Sequence, residues 1–292
     1  MSIDYPNIRL IAKTMKDKNL SGKCITFGVQ GIQGQYDDVK DILAQEGYNY
    51  RELTRDEILN DEITYFGNSL HQNSFFKMIG FSSVESLDYF PYEKPTYVLD
   101  LSKPIPPEMH ERYDLVYDGG TTEHCFDIKQ VFSNVVNLLK PNGRVIHTLP
   151  ISGWLNHGLY QFSPEILSGF YEANGFNQIT AIIIIRGIRK AYGIIYDPKY
   201  IKTLNHLRKK ISIFFTAKKN DHVSNIAYHV QSQLAEIIRD KSEAKPSIIN
   251  RIKNKILQSR RHNLLAMILF KISWQCYFNI QRISIYRNRI IL

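Results

Sequence analysis

Three short apolar runs between residues 86 and 124 each end in an aspartate, Asp88, Asp100 and Asp118, and the third leads into a glutamate and a histidine. An apolar run of about four to eight residues is the expected sequence of a buried strand. A carboxylate just past its end falls on the edge where open α/β sheets bind ligands. Three in succession predict one ligand held along that edge. After Asp118 come Gly119 and Gly120, then Thr121, Thr122, Glu123 and His124, a glycine-loosened turn with two groups able to move protons. A histidine near its unperturbed pKa serves as a general base; the same pair equally suits capping the next helix or bracing the glycine loop. His157 is a second candidate base, in a loop where Trp154 and Tyr160 suit stacking on a sugar or another flat apolar face. A metal site from His124, His147 and His157 has no short ligand spacing behind it, and His147 falls within a strand, so no metal is expected.

Positioning these groups takes a series of alternating elements. Residues 7–18 place Ile8, Ile11 and Met15 on one helical face. A strand over 23–27 runs into the turn GVQGIQG, and residues 37–45 follow as a helix. Residues 48–68 are less regular and read as an insertion or lid, in which Thr54 to Glu57 has the form of a capping box. A helix over 70–80, strands over 84–87, 97–99 and 113–117, a helix over 128–139 and a strand over 144–149 come next. Ser163-Pro164-Glu165 opens a helix that ends near Asn174-Gly175. The apolar, β-branched run 179–185 and the run 191–196 lie too close for a helical crossover, so they predict an antiparallel hairpin.

The charges divide the chain. Residues 199–292 hold 19 lysines and arginines against 4 acidic residues, so the net +9 of the 292-residue chain belongs to this tail and residues 1–198 are net acidic. A basic appendage points to a phosphate-rich surface or an acidic partner. Its apolar residues recur at helical spacing, and Phe270, Trp274, Tyr277 and Phe278 beside basic residues suit the headgroup layer of an anionic membrane. Packing on a protein partner is the other reading. No nucleic-acid-binding module is recognisable, and the aromatics cluster away from the densest positive run. Cys24, Cys125 and Cys276 match neither a zinc pattern nor a disulfide framework, which favours a reducing compartment. The start, MSIDYPNIRL, has no leader pattern, and the longest apolar stretch falls short of the roughly 20 residues that span a bilayer. Tyr36 and Lys40 have the Tyr-x-x-x-Lys spacing of short-chain dehydrogenases but directly follow the first glycine turn, which is the wrong place for that chemistry.

The order of elements over residues 23–196 resembles the class I S-adenosylmethionine-dependent methyltransferases, over about two thirds of the chain. The most specific parts are YDLVYDGGTTEH with VFSNVVNLLKPNGRVIHTLP, and the loop HGLYQFSPEIL. These also resemble a bacterial subgroup associated with cell-surface polysaccharide synthesis. The resemblance implies an α/β, Rossmann-like doubly wound sheet with a terminal antiparallel hairpin, built from residues 1–198, plus a basic helical extension, 199–292. It implies S-adenosylmethionine as cofactor and transfer of its methyl group to an oxygen or nitrogen of a small or glycan-like acceptor, with His124, Glu123 and His157 as catalytic residues. Gly28 and Gly31 would let the backbone approach the methionyl part. Gln30 stands where the family carries an acid. Asp88 would accept from the ribose hydroxyls, Asp100 and the Leu101 amide would meet the adenine, and Asp118 and Gly119 would lie beneath the sulfonium. Gly28 and Asp88 lie much further apart than in such nucleotide folds, so the intervening segment is expected to loop out over the site. The competing expectation is a binding or scaffold protein that keeps this fold without the reaction. A cytoplasmic location, peripheral at the inner face of the membrane if the tail binds lipid, completes the expectation.

Overall fold

A computed structural model describes residues 2–16, 18, 21–61, 69–186, 191–196, 209–223, 225–228 and 289–291. Nine strands, in chain order, form the main sheet: β1 (Gly22–Phe27), β2 (Phe81–Asp88), β3 (Tyr97–Val98), β4 (Tyr113–Asp118), β5 (Leu139–Ser152), β6 (Phe176–Arg186), β7 (Ala191–Ile195), β8 (Lys210–Lys219) and β9 (Arg289–Ile291). They lie in the order β9-β7-β6-β8-β5-β4-β1-β2-β3. From β3 to β5 all pairs are parallel. The chain builds outward from β1 to β3, then returns to β4 on the other side of β1. That reversal opens a crevice at the carboxyl ends of β1 and β4, the place where open α/β sheets take ligands.

Among the described residues, five α-helices cover the two faces: α1 (Tyr5–Met15), α2 (Tyr36–Gln45), α3 (Gln72–Met78), α4 (Ile128–Leu138) and α5 (Pro164–Ala173). α1, α2 and α3 close one core with Cys24, Leu115, Ile146 and Phe214 of the sheet. α4 and α5 close the other with Ile25, Val116, Val145, Ile213 and Phe215. Alternate strand residues feed opposite cores, the period-two pattern of a sheet buried on both faces. α1 starts where Asp4 accepts the Asn7 amide, with Pro6 in the first turn, and α5 starts at the Ser163 cap read from the sequence. The capping box at Thr54 opens a single 3₁₀ turn, Arg55–Glu57.

The expected hairpin is present, with Ile182 opposite Ile195 in β6 and β7. The tail departs from expectation. Residues 210–219, assigned from charge to a helical extension, are β8, which lies antiparallel between β5 and β6. Ile211, Ile213, Phe214, Phe215 and Ala217 are buried there, so a boundary near residue 198 would cut the sheet's interior. Lysines at both ends of KISIFFTAKK gave this segment its basic average. Lys219 is itself buried, donating to the Val136 and Leu139 carbonyls at 2.9 and 2.7 Å and so satisfying the end of α4. Residues 229–288, with Trp274 and most of the expected basic helix, lie outside the described residues. Among the described residues no helix is long and apolar enough to cross a membrane.

Candidate active site

β4 ends in Asp118, whose side chain is wholly buried. Its Oδ1 accepts from the amides of Gly120 (3.3 Å), Thr121 (2.8 Å) and Thr122 (3.4 Å), and its Oδ2 from the Thr122 hydroxyl (2.6 Å). Oδ2 also lies 2.7 Å from Nδ1 of His147, whose Nε2 is 2.6 Å from the Tyr171 hydroxyl. Burial works to raise the Asp118 carboxyl, but the hydrogen bond and electrostatic interaction from His147, with the Thr122 hydroxyl and Thr121 amide, hold it below the ordinary range. An ionised carboxylate only accepts, so Nδ1 of His147 carries a proton. Asp118 therefore organises the loop after β4 from beneath. Gly119 and Gly120, not the Asp118 side chain, face the open crevice.

That loop presents Glu123 and His124 on the 3₁₀ turn Thr122–His124. Glu123 is 1% exposed, and its Oε2 is buried with no hydrogen-bond partner. Oε1 lies 3.6 Å from Nε2 of His157. Burial first, then the negative Asp118, pushes the Glu123 carboxyl up to about 8. Burial and then Lys210 lower His157, while burial and then His157 lower His124. Near neutral pH the three are thus a carboxylic acid and two neutral imidazoles, so the 3.6 Å contact joins uncharged partners and is no ion pair. The loop carrying His157 is clamped to Glu123, whose carbonyl accepts the amides of Leu159 and Tyr160 at 2.8 and 3.2 Å. Gly158 permits this approach, because a Cβ there would stand 2.8 Å from Cγ of Glu123.

Glu123, His124 and His157 line one side of a cleft of about 380 Å³. Asn7 of α1, Thr148 to Pro150 of β5, Arg186 at the end of β6, and Lys210 and Ser212 at the start of β8 line the rest, with Trp154. Among the buried polar atoms of these walls without a partner are Asn7 Oδ1, Glu123 Oε2, Arg186 Nε and Ser212 Oγ. Orphaned polar atoms are costly unless something polar binds them. Arg186 is ion-paired with Asp4 through Nη1. Nζ of Lys210 lies 4.6 Å from the centre of the Trp154 ring, and the indole N–H donates to the Ile211 carbonyl at 2.9 Å. Trp154 is thus fixed within the cleft as a stacking surface. Tyr160 is directed elsewhere, its hydroxyl donating to the Phe126 carbonyl.

The residues expected to hold a cofactor divide into two groups. Asp88 and Asp100 are half-buried, each accepting one backbone amide two residues on, from Phe90 and Ser102, both at 2.9 Å. Leu101 is buried, and its carbonyl accepts from Asn134. Burial first, then Asp118, Asp100, Glu123 and Asp88, pushes the Cys125 thiol up to about 12. The glycine turn differs. Gly28, Gln30 and Gly31 are buried, and Gly31 pairs with Ser2 in a short parallel strand pair, so the chain's first residues cover the turn. Gln30 donates from Nε2 to the Phe27 carbonyl at 2.6 Å, while its buried Oε1 abuts Gly119, where any side chain would collide with it. Gln30 thus braces the two glycine turns against each other.

None of residues 48–61 lines the cleft. They pack against α3 instead, the Leu59 amide donating to Ser74 at 2.8 Å and the Tyr48 hydroxyl to the Ile79 carbonyl at 2.9 Å. The covering segment is the N-terminus, with Ser2, Asp4 and Asn7 on the cleft. Sequence reasoning missed Asn7, Arg186, Lys210 and Ser212. Arg186, a charge closing an otherwise apolar β-branched run, was the available signal.

No known protein family and no curated protein matches the chain in sequence. Solved structures do resemble it. One is a Bacillus halodurans protein assigned as a methyltransferase, at 12% identity and a TM-score of 0.41 over 74% of this chain and 99% of that one. Another is the 1,6-didemethyltoxoflavin N1-methyltransferase of Burkholderia thailandensis with 1,6-didemethyltoxoflavin and S-adenosylhomocysteine, at 13% identity and 0.36 over 73% of this chain and 79% of that one. A third is phosphoethanolamine N-methyltransferase 2 of Haemonchus contortus with S-adenosyl-L-methionine, at 14% identity and 0.39 over 74% of this chain and 53% of that one, so this chain spans about half its length.

Proposed function

We propose that the protein is an S-adenosylmethionine-dependent methyltransferase acting on an oxygen or nitrogen of a small or glycan-like acceptor. The observation that carries this reading is the placement of Asp88, which closes β2, and Asp100, just past β3, at the carboxyl ends of parallel strands beside the point where the sheet order reverses. Acidic groups there suit a cationic cofactor that also presents ribose hydroxyls and an adenine amino group. Asp88 would hold the ribose, and Asp100 with the Leu101 backbone the adenine. Bound S-adenosylmethionine supplies a methyl group made electrophilic by its sulfonium.

The chain's own residues do the rest. The cleft walls orient the acceptor through Asn7, Arg186 and Ser212, and Trp154 offers it a flat face. His157 and His124, held neutral, can take the acceptor proton at Nε2 or Nδ1 near neutral pH. Glu123 is a stronger base than an ordinary carboxylate once ionised. Alignment and exclusion of water account for most of the rate. A membrane or protein partner for the basic residues beyond 228 belongs to the same proposal, as does a role in surface-polysaccharide synthesis.

The covered glycine turn favours a second reading, a binding protein that keeps the fold without the reaction. Calorimetric titration with S-adenosylmethionine and S-adenosylhomocysteine separates the two. Saturable binding supports the enzyme, and no heat at millimolar concentration of either sinks it.

A further inference from the structure

We propose that Glu123, His124 and His157 hold a divalent transition-metal ion at the edge of the cleft. One ligand atom from each lies within 4.8 Å of the others. Glu123 Oε1 and His157 Nε2 are already 3.6 Å apart, and the two imidazole rings are 5.3 Å apart between centres. Ligands at about 2.1 Å from a common ion stand roughly 3.0–3.4 Å from one another, so side-chain adjustments of about an ångström close the site. His157 is half exposed on its loop and His124 is exposed, so the two imidazoles have room to make them.

A second, independent observation points to a ligand at the same place. Glu123 is almost wholly buried, yet Oε2 has no hydrogen-bond partner. A buried carboxylate oxygen without donors is an uncompensated cost, and a cation between it and the imidazoles supplies the compensation. The surroundings are built to hold it. Asp118 fixes the turn bearing Glu123 and His124 through Thr122, and the Glu123 carbonyl holds the loop bearing His157.

The donor set selects the ion. Two imidazoles and one carboxylate suit zinc, cobalt, nickel, iron(II) or manganese, whereas magnesium and calcium prefer oxygen donors throughout. Three protein ligands beside an open cleft leave positions for water or for an acceptor oxygen. What the ion would do in catalysis rests on the methyl-transfer reading: an acceptor hydroxyl bound to it would release its proton at lower pH. The metal site itself does not rest on that reading.

The test uses the full chain, stripped with chelator and then titrated with zinc chloride by calorimetry and with cobalt(II) by visible absorption. Expected are one ion per chain, a cobalt spectrum of low coordination number, and at least about tenfold weaker binding in His157→Ala, His124→Ala and Glu123→Gln. His157→Ala alters an exposed loop side chain and leaves the fold intact, so it decides the matter even if Glu123→Gln unfolds. Absence of binding to the wild-type chain, or equal binding by His157→Ala and His124→Ala, overturns the proposal. S-adenosylmethionine titrated into the same metal-free sample keeps the two ideas apart. Metal binding without cofactor binding removes the methyltransferase reading and leaves the site, whereas cofactor binding without metal does the reverse.

Discussion

Oδ2 of Asp118 lies 2.7 Å from Nδ1 of His147, and both side chains are completely buried. With the Tyr171 hydroxyl 2.6 Å from Nε2, this chain of polar groups joins the end of β4, the interior of β5 and the last turn of α5 beneath the glycine turn that borders the cleft. It makes the loop bearing Glu123 rigid from below.

Replacing His147 by leucine leaves Asp118 with the Thr122 hydroxyl and backbone amides alone and strands the Tyr171 hydroxyl, so the expected destabilisation is about 3–5 kcal/mol. Tyr171→Phe should cost about 1 kcal/mol. The Asp118 carboxyl lies below its ordinary value of 3.8, so its contribution is present above that pH and is lost as pH falls through its folded value. In His147→Leu the folded value rises and acid unfolding begins at higher pH. Urea titrations between pH 3 and 7 check both effects, and superimposable acid transitions would mean the pair adds nothing.

Glu123 gives the opposite sign. Its folded value of about 8 stands above the ordinary value of 4.5, so the stability it contributes is full below about 4.5 and is lost as pH rises toward 8. Glu123→Gln stays neutral, so in chelator its melting temperature should lose this pH dependence and exceed that of wild type by several degrees at pH 9. Parallel melting curves for the two proteins from pH 5 to 9 would show that Glu123 is not held protonated.

Much of this was legible in the sequence because each strand of the parallel half ends in a turn with its own chemistry. Asp88 and Asp118 close their strands as the apolar runs indicated. Ser163-Pro164-Glu165 starts its helix, and the short gap after Ile185 forced a hairpin. β8 was hidden because its lysines sit at the ends of an apolar run, and averaging over the tail hid five buried apolar side chains. Gln30 read as a ligand-facing residue because residues 2–3 give no sign of pairing with Gly31 and Ile32, and that pairing buries the turn. The nearness of His157 to Glu123 depends on Gly158 folding 35 residues downstream against Glu123, a contact that no local spacing records.

Asp88 and Asp100 carry the cofactor prediction. Asp88→Ala should weaken S-adenosylhomocysteine binding by about 1.5–3 kcal/mol, the usual loss for a hydrogen bond to a charged group, and leave the melting temperature nearly unchanged. Asp100→Ala should act in the same direction and by a smaller amount, since one amino group replaces two hydroxyls. Calorimetry on both variants is the check. Unchanged affinity in Asp88→Ala would place the ribose elsewhere.

The last prediction concerns where the folded unit ends. A chain stopped after residue 198 loses β8, leaving β5 and β6 without the strand that joins them and removing Ile211, Ile213, Phe214, Phe215 and Ala217 from the two cores. Each large apolar side chain contributes about 1.5–3 kcal/mol when buried, so the loss is on the order of the whole stability of a domain, about 5–15 kcal/mol. That chain should be insoluble or show no cooperative melting. A chain stopped after residue 228 keeps β8 and the reciprocal hydrogen bonds between Asn174 and Ala227, both at 2.9 Å, and gives up only β9 at the sheet edge among the described strands. It should melt cooperatively and retain the Trp154 fluorescence set by its contacts with Lys210 and Ile211. Circular dichroism and size-exclusion chromatography on the two chains decide the point, and a folded, monodisperse 1–198 fragment would show that β8 is dispensable and that the sheet closes without it.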